Sequence, residues 1–377
     1  MPDTVEIGLG RTARRAYQLD EVALVPTRRT RASAQVSTTW QIDAHTFHLP
    51  FVAAPSDAVV SPATALTIDR LGGLAVLDGE GAWTQYEDPA EILAALHEGT
   101  ADMQRLYANP VSPDLLSRRI GQLRESGIRV AVRLSPQHTV ELAPHVLAAG
   151  VDLLVIQGTV ISAEHVIGVP DSAGTNAALN LKTFIAELDI PVIVGGCSNY
   201  HTALHLMRTG AAGVVVGYGA HAGSTTPDVL GIDVPMATAI VDAAAARRDY
   251  LDETGGRYVH LIAYGDAYTG ADIAKSLACG ADAVMLGAAL ARASDAPGGG
   301  QYWDATASHP RLPRSTVVDM FDSAGLQADL AQVIGGPSTD PSGAVNLFGA
   351  LRRSMAKCGY SSVKEFQKAE LVLTGRL

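Results

Sequence analysis

Short apolar runs recur along the chain and set the pattern from which a fold can be predicted. Eight of them are separated by polar segments, at residues 51–55, 73–77, 130–134, 153–156, 192–194, 213–216, 259–263 and 283–286. Each run is too short for a helix, and most are rich in β-branched residues. Strands that are buried on both faces have this pattern, so the sequence predicts eight strands of a parallel sheet.

Helix-like segments lie between the runs, and three of them end at a glycine that the next apolar run follows closely. They are residues 144–149, 200–209 and 271–279, which precede Gly150, Gly210 and Gly280. Glycine after the last helical turn is typical of a short connection from helix to strand. Eight alternating units predict an α/β fold, a (β/α)8 TIM barrel with its active face at the strand carboxyl ends. An open doubly wound sheet is the alternative, but no G-x-G-x-x-G follows any run.

Three segments stand outside this alternation. Residues 1–48 carry six arginines and predict an N-terminal arm, either solvated or between subunits, with contact to a polyanion as the alternative. Residues 79–128 look helical and are too short for an inserted regulatory domain. Residues 292–344 are rich in Pro and Gly and predict a loop or lid over the active face, followed by a C-terminal helix. We expect a single barrel domain over residues 1–377.

Composition and charge exclude several classes of function. Hydrophobic residues make up 47% of the chain, which excludes a disordered protein, and the net charge of −11 argues against a nucleic-acid partner. No uncharged stretch predicts a membrane span, and no signal peptide is visible. Cys197, Cys279 and Cys358 form no CxxC pair, so we expect no metal site and a cytoplasmic location.

Residues that directly follow the predicted strands are candidates for the chemistry of a site. The set includes Ser56, Asp57, Asp78, Glu80, Ser135, Gln157, Cys197, Ser198 and residues 217–226, 264–266 and 287–288. The run 217–226 is interpreted either as a cradle for an ion or as a flexible loop. Cys197 is a candidate nucleophile, but His201 and His205 on the next helix point away from the barrel mouth or onto the packing face of the helix, which favours a structural thiol. The charges within residues 247–253 predict a solvated helix face.

Four segments, in order along the chain, resemble motifs of the IMP dehydrogenase and GMP reductase family. Residues 19–26 resemble L-x-D-D-V-L-L-V-P, and residues 50–57 with 70–73 resemble P-x-x-x-A-x-M-D and R-L-G-G. Residues 278–287 and 349–355 resemble A-x-G-A-D-A-V-M-L-G and G-G-L-R-S-G-M. The chain resembles in particular the IMP dehydrogenase-related branch, which lacks the CBS domains that would be inserted at 79–128.

The resemblance implies a chemistry and a set of site residues. In the family, a loop cysteine attacks purine C2 and a hydride passes to or from NAD or NADP. The implied catalytic positions are Ser224 and Thr226. The implied substrate-binding positions are Ser56, Tyr264, Gly265, Asp266, Gly287 and Ala288, and the implied cofactor-binding positions are Gln157, Gly217 and Gly219. The family also implies a purine nucleotide as partner and a homotetramer.

The chain departs from the family pattern at most of these positions. Ser224 stands where the cysteine is expected, Tyr264 and Asp266 alter a D-G-G motif, and Ala288 replaces a phosphate-binding serine. Two hypotheses follow. The first is a GMP reductase-like oxidoreductase of purine nucleotides that uses NADP or NAD. The second is a catalytically inactive barrel that binds a ligand or partner and regulates purine metabolism.

Overall fold

Eight parallel strands close into a barrel in the computed structural model, which describes residues 4–170, 176–218, 222–304, 315–320 and 328–375. Each strand pairs with its neighbours along the chain, and the eighth pairs with the first. We number these strands β1 Phe51–Ala53, β2 Leu74–Asp78, β3 Ala131–Leu134, β4 Leu153–Gln157, β5 Val192–Cys197, β6 Gly213–Val216, β7 His260–Ala263 and β8 Ala283–Leu286. The predicted (β/α)8 barrel is confirmed.

Helices surround the barrel and connect its strands. They are α1 Pro62–Arg70, α2 Ala82–Gln85, α3 Ala90–His97, α4 Met103–Leu106, α5 Pro113–Glu125, α6 Thr139–Ala148, α7 Leu181–Ala186, α8 Tyr200–Met207, α9 Met236–Thr254, α10 Gly270–Ala278, α11 Ala288–Ala291, α12 Leu330–Gly335, α13 Leu347–Cys358 and α14 Val363–Phe366. Helices α2 to α5 fill the segment between β2 and β3, as predicted. A π-helical turn, Thr226–Leu230, follows β6.

The three glycines that end predicted helices have the expected left-handed backbone. Gly150, Gly210 and Gly280 have φ angles of 85°, 97° and 122°, which a side chain would disfavour. Helix α6 differs from the prediction because it begins at Thr139 and contains Pro144. The lost backbone hydrogen bond at a proline is offset here by the apolar face of α6, which is buried against the barrel.

The barrel interior is filled by apolar side chains from alternate strand positions. These residues form one core cluster with Trp40, Ile42 and Phe47, which belong to the antiparallel hairpin Trp40–Ile42 and His45–Phe47. That hairpin therefore closes the amino-terminal end of the barrel. The opposite end, where the strands terminate, is the mouth.

The segments outside the barrel form small antiparallel pairs. Strand Thr4–Gly8 pairs with Arg11–Arg14, and Val22–Val25 pairs with the C-terminal strand Glu370–Leu373. A further pair, Gln301–Tyr302 with Val318–Asp319, forms in the region after β8. No helix in the described part of the chain is long and apolar enough to cross a membrane.

A buried carboxylate, Asp282, ties α9 and α14 to the start of β8. Its oxygens lie 2.7 Å from Arg247 Nη1 and 2.8 Å from Lys364 Nζ, and they accept a hydrogen bond from the Tyr258 hydroxyl. Burial raises the pKa of Asp282, but the charges of Arg247 and Lys364 outweigh burial and lower the pKa overall. Arg247, which the sequence placed on a solvated helix face, is therefore buried because Asp282 compensates its charge.

We expect Asp282→Asn to lower the free energy of unfolding by about 3–5 kcal/mol, because Arg247 would keep a buried charge without its carboxylate. The matched control is Asp242→Asn, which removes the partner of Arg14 in a more exposed ion pair. The control substitution should lower the free energy of unfolding by about 0–1 kcal/mol. Urea unfolding of both variants makes the comparison, and equal losses would contradict the role assigned to burial.

Candidate functional site

Charged and polar side chains form the uppermost layer inside the barrel, at the ends of β2, β3 and β4. Arg133 Nη1 lies 3.2 Å from Asp78 Oδ1, and both side chains are 1% exposed. The guanidinium also donates to the backbone carbonyl of Gln157 from Nε at 3.1 Å and from Nη2 at 2.8 Å. This layer is a bridge of charge and hydrogen bonds across three neighbouring strands.

Electrostatic compensation keeps Arg133 charged although it is fully buried. Burial by itself lowers the pKa of Arg133, but the charges of Asp78, Glu80 and Asp304 raise it above the ordinary value. Asp304 belongs to the segment after β8, so this segment contributes to the balance of charge in the barrel mouth. A buried cation without such partners would be strongly destabilising.

A second cluster joins the loops that follow β2 and β3. Glu80 Oε2 accepts a hydrogen bond from Ser135 Oγ at 2.9 Å and one from His138 Nδ1 at 2.6 Å. Burial raises the pKa of Glu80, but the His138 hydrogen bond and the charge of Arg133 lower it to about 2. A carboxylate with so low a pKa is a weak base toward the Ser135 hydroxyl, and His138 Nδ1, 3.4 Å from Ser135 Oγ, is engaged with the same carboxylate. The cluster therefore anchors the two loops.

The segment after β8 enters the barrel mouth and fills it. We call its described residues, 301–304 and 315–320, the covering segment. Residues Tyr302, Trp303 and Asp304 are at most 1% exposed. The Tyr302 hydroxyl oxygen lies 3.1 Å from that of Tyr264, and a Cβ on Gly287 would lie 2.6 Å from it. Tyr302 therefore covers Gly287, next to Ala288, which are two of the predicted substrate-binding positions.

Trp303 is held over the end of β1 by hydrogen bonds to its backbone carbonyl and to its indole ring. Its backbone carbonyl accepts a hydrogen bond from Ser56 Oγ at 2.7 Å. Its indole Nε1 donates to the Tyr107 hydroxyl at 3.0 Å, which in turn donates to Asp57 Oδ2 at 2.9 Å. Ser56, a predicted substrate-binding residue, thus holds part of the protein's own chain.

The loop that carries Ser224 is attached to the same covering segment. The Gly223 carbonyl accepts hydrogen bonds from Ser315 Oγ at 2.7 Å and from Thr316 N at 2.9 Å. Among the described residues, the one hydrogen bond of the Ser224 hydroxyl comes from Thr226 N at 3.3 Å. Thr226 is buried, and its own hydroxyl has no hydrogen-bond partner in the described part of the chain.

The predicted cofactor-binding positions are enclosed where the structure describes them. Gln157 is 1% exposed, and its Nε2 lies 3.9 Å from Met285 Sδ. A Cβ on Gly217 would overlap the Tyr264 carbonyl, which makes this glycine a requirement of close packing. Gly219 lies outside the described residues. Gln157 and Gly217 do not fit a nicotinamide cofactor in this arrangement, because neither offers an open surface.

The two remaining substrate-binding candidates lie beyond the end of β7. Gly265 packs against Met236, whose Cγ would be 2.5 Å from a Cβ at this position. Asp266 Oδ1 accepts a hydrogen bond from the Tyr268 hydroxyl at 3.2 Å, and the Ala222 amide donates to the same hydroxyl at 3.1 Å. Asp266 therefore reaches the Ser224 loop through Tyr268.

Cys197 is fully buried at the end of β5, and burial raises the pKa of its thiol to about 12. A thiolate is therefore scarce at neutral pH, which agrees with the structural interpretation of this residue. His201 and His205 lie on the exposed face of α8. Neither has a place in the barrel mouth.

Sequence reasoning missed several residues of the mouth. Arg133 was included in an apolar run, although a single arginine at an inward-facing strand position was a usable signal. His138 and Tyr107 lie in helical or loop segments without a recognisable motif. Tyr302 and Trp303 carried no local signal, because only the folded chain returns them to the end of the barrel.

Comparisons with known proteins are consistent across the length of the chain. The family model described as IMP dehydrogenase / GMP reductase domain matches residues 16–308. A Mycobacterium tuberculosis protein named an uncharacterized oxidoreductase is 56% identical over 382 residues, covering 98% of this chain and 100% of that protein. An inosine-5'-monophosphate dehydrogenase of Methanocaldococcus jannaschii is 29% identical over 307 residues, covering 72% of this chain and 57% of that enzyme.

A solved structure gives the same result. The crystal structure of an IMP dehydrogenase/GMP reductase-like protein from Corynebacterium glutamicum has a TM-score of 0.90 and 51% sequence identity with this chain. The match covers 99% of this chain and 98% of the other. The shared fold therefore extends over the arm, the barrel and the C-terminal helices together.

We expect NMR titration to show His138 titrating above its ordinary pKa of 6.5, because its hydrogen bond to Glu80 raises the pKa. The pair therefore adds stability that is fully present below about pH 6.5 and is lost as the pH rises through the folded-state pKa. Glu80→Gln should bring the pKa of His138 down. The control Glu141→Gln should change it only slightly, and a larger effect of the control would assign the shift to the wrong carboxylate.

Proposed function

The chain belongs to the IMP dehydrogenase / GMP reductase family, and we propose that it is a regulatory member without the family's cysteine-dependent chemistry. Its ligand is a purine nucleoside or a related small molecule that lacks a 5'-phosphate. The observation that carries the proposal is the seating of Tyr302 over Gly287 and against Tyr264. The protein's own side chain occupies the part of the mouth where the family resemblance puts the nucleotide phosphate.

The nucleophile position supports the loss of covalent chemistry. A serine hydroxyl is un-ionised at neutral pH, so it attacks a purine carbon only with help from a base. The Ser224 hydroxyl accepts a hydrogen bond from Thr226 N, and no described residue takes its proton. Cys197 does not replace it, because its thiol is buried and its pKa is raised to about 12.

The lining of the mouth supports a ligand without a phosphate. Ala288 has no hydroxyl to donate, and Asp266 adds a carboxylate beyond β7. Hydrogen bonds to a charged group contribute about 1.5–3 kcal/mol each, and a phosphate here would find few. Tyr264 and Tyr302 instead present two phenols. Burial raises the pKa of both, so they stay neutral and suit an aromatic ligand.

A regulatory role follows from the attachments of the covering segment. It is bonded to Ser56, Tyr107 and Gly223, so a ligand that enters the mouth must move it and loosen the Ser224 loop as well. We include in the proposal a homotetramer, in which the arm strand Thr4–Gly8, with exposed Val5 and Ile7, is a contact. Ligand binding at the mouth would then be communicated through the assembly.

A second candidate is a GMP reductase-like oxidoreductase that uses NAD or NADP. The buried ion pair of Arg133 and Asp78 favours it, because charged layers at the strand ends of barrels usually serve a reaction. Family members bind a nicotinamide cofactor, and relatives at more than half identity are named uncharacterized oxidoreductases. Steady-state kinetics separate the two candidates.

We expect the wild-type protein to turn over neither IMP with NAD nor GMP with NADPH, because no thiolate is available to form the covalent adduct. Ser224→Cys alone should restore little, since Tyr302 still covers the phosphate position. The informative variant combines Ser224→Cys, Tyr264→Asp, Asp266→Gly and Ala288→Ser with Tyr302→Ala. Absorbance of the reduced nicotinamide follows the reaction.

The outcome of that assay would overturn the proposal in two ways. Robust wild-type activity that Ser224→Ala abolishes would make Ser224 catalytic. Robust wild-type activity that Cys197→Ala abolishes would move the nucleophile to β5. Ser126→Ala serves as the matched control, because it removes an exposed serine hydroxyl at the end of α5, where Oγ donates to the Gln122 carbonyl at 3.0 Å.

We expect inosine and guanosine to raise the melting temperature more than IMP and GMP do, because the mouth offers aromatic contacts and few phosphate donors. Tyr302→Ala should strengthen nucleoside binding by about tenfold, equivalent to about 1.4 kcal/mol, by removing an intramolecular competitor. Tyr302→Phe, which keeps the ring, is the control. Stronger stabilisation by the monophosphates, or micromolar IMP binding in calorimetry, would refute the proposed ligand class.

A further inference from the structure

A cavity of 680 Å³ lies at the opposite end of the barrel from the mouth. Its walls come from the closing hairpin around Trp40, from the residues that precede β6 and β7, and from Lys364 on α14. Ligand pockets commonly have volumes of about 300–1,000 Å³ and combine apolar walls with a few converging polar groups. Nothing in the proposed function of the mouth uses this cavity.

Aromatic rings form one side of the cavity. The ring centroids of Trp40 and His260 lie 6.3 Å apart at an interplanar angle of 72°. Those of Tyr258 and His260 lie 5.0 Å apart at 70°. Lys364 Nζ and Arg247 Cζ lie 3.4 Å and 4.9 Å from the centroid of the Tyr258 ring, and Phe47 stacks on Trp40 at 5.4 Å. The three rings therefore form an aromatic wall that suits edge-to-face contact with a planar aromatic ligand.

Two ring nitrogens beside the cavity have no hydrogen-bond partner among the described residues. They are Trp40 Nε1 and His260 Nδ1, and the latter lies 4.0 Å from Asp282 Oδ2, beyond hydrogen-bond distance. Burial lowers the pKa of His260 to about 4, so the imidazole is neutral at pH 7. Buried polar groups are normally paired, and a bound molecule with polar ring atoms would satisfy them after a small rearrangement.

The charges at the cavity favour an acidic group on that ligand. Lys364 Nζ lies 2.8 Å from Asp282 Oδ1, but Asp282 is already paired with Arg247. This cluster of one carboxylate and two cations has a net charge of +1, with Arg247 lying behind the residues that line the cavity. Arg257 and Asp43 also line the cavity, and Arg257 Nη2 donates to the Gly210 carbonyl at 2.7 Å. Both residues continue into an adjoining cavity of 500 Å³, which is lined by Lys182, Asp189 and Arg208, and Arg208 is paired with Glu253.

We propose that this cavity is a second ligand site, which takes a planar aromatic molecule carrying one carboxylate or phosphate. The ring lies against Trp40, Tyr258 and His260, and the acidic group lies toward Arg257 and Lys364. A carboxylate and a phosphate would both suit these cations, and the two acidic probes described below distinguish between them. Because the site lies at the other end of the barrel, it goes beyond the function proposed for the mouth.

Isothermal titration calorimetry tests the site with two acidic probes, indole-3-carboxylate and adenosine 5'-monophosphate. Indole-3-carboxamide is the neutral match of the first probe. We expect at least one acid to bind, and the carboxamide to bind at least tenfold more weakly than the carboxylate. Arg257→Gln should weaken binding of the acid at least tenfold, and Arg257→Lys should restore most of it. Arg118→Gln, which removes an exposed arginine paired with Glu87, should change nothing.

Several outcomes would overturn the proposal. They are the absence of binding by both acids, equal affinity for the carboxylate and carboxamide, and unchanged affinity in Arg257→Gln while unfolding curves show an intact fold. Tyr302→Ala distinguishes this site from the mouth. It should leave binding of indole-3-carboxylate unchanged, whereas an effect of Tyr302→Ala on this probe that Arg257→Gln does not share would place the binding at the mouth and refute the cavity site.

Discussion

The buried guanidinium of Arg133 is the constraint on which the mouth of this barrel depends. A cation with 1% of its side chain exposed must be surrounded by compensating groups, because desolvation of an unpaired charge costs several kcal/mol. Asp78 supplies one carboxylate, the Gln157 carbonyl accepts two hydrogen bonds, and the charges of Glu80 and Asp304 add to the balance. The ends of β2, β3 and β4 and the segment after β8 are therefore held together by one charge.

The covering segment continues this arrangement over the rest of the mouth. Tyr302 meets Tyr264 above β7, and Trp303 is bonded to Ser56 and Tyr107 above β1. The departures from the family pattern are physically consistent with each other. A glycine at 287 leaves room for the Tyr302 ring, and Tyr264 gives its hydroxyl a partner.

The two ends of the barrel are built differently. At the mouth, the chain fills its own cavity with aromatic side chains. At the amino-terminal end, the hairpin that contains Trp40 closes the core but leaves a cavity beneath β6, β7 and β8. Asp282 sits at the edge of that cavity and joins Arg247 to Lys364, so the same carboxylate that fixes α9 and α14 also sets the charge of the cavity wall.

The sequence by itself determined the barrel and the family. Apolar runs predicted all eight strands, and Gly150, Gly210 and Gly280 marked helix ends, because both signals depend on local backbone and burial rules. Ordered motifs predicted the family, and strand ends predicted Asp78, Glu80, Ser135 and Gln157 as residues of the mouth. Only the tertiary structure decided which of these side chains meet. The contacts that surround Arg133, bury Arg247 and seat Tyr302 join residues that are far apart in the sequence. Arg133, for example, lies 24 positions from Gln157 and 55 positions from Asp78. No local periodicity encodes such contacts, because they exist only once the strands have closed.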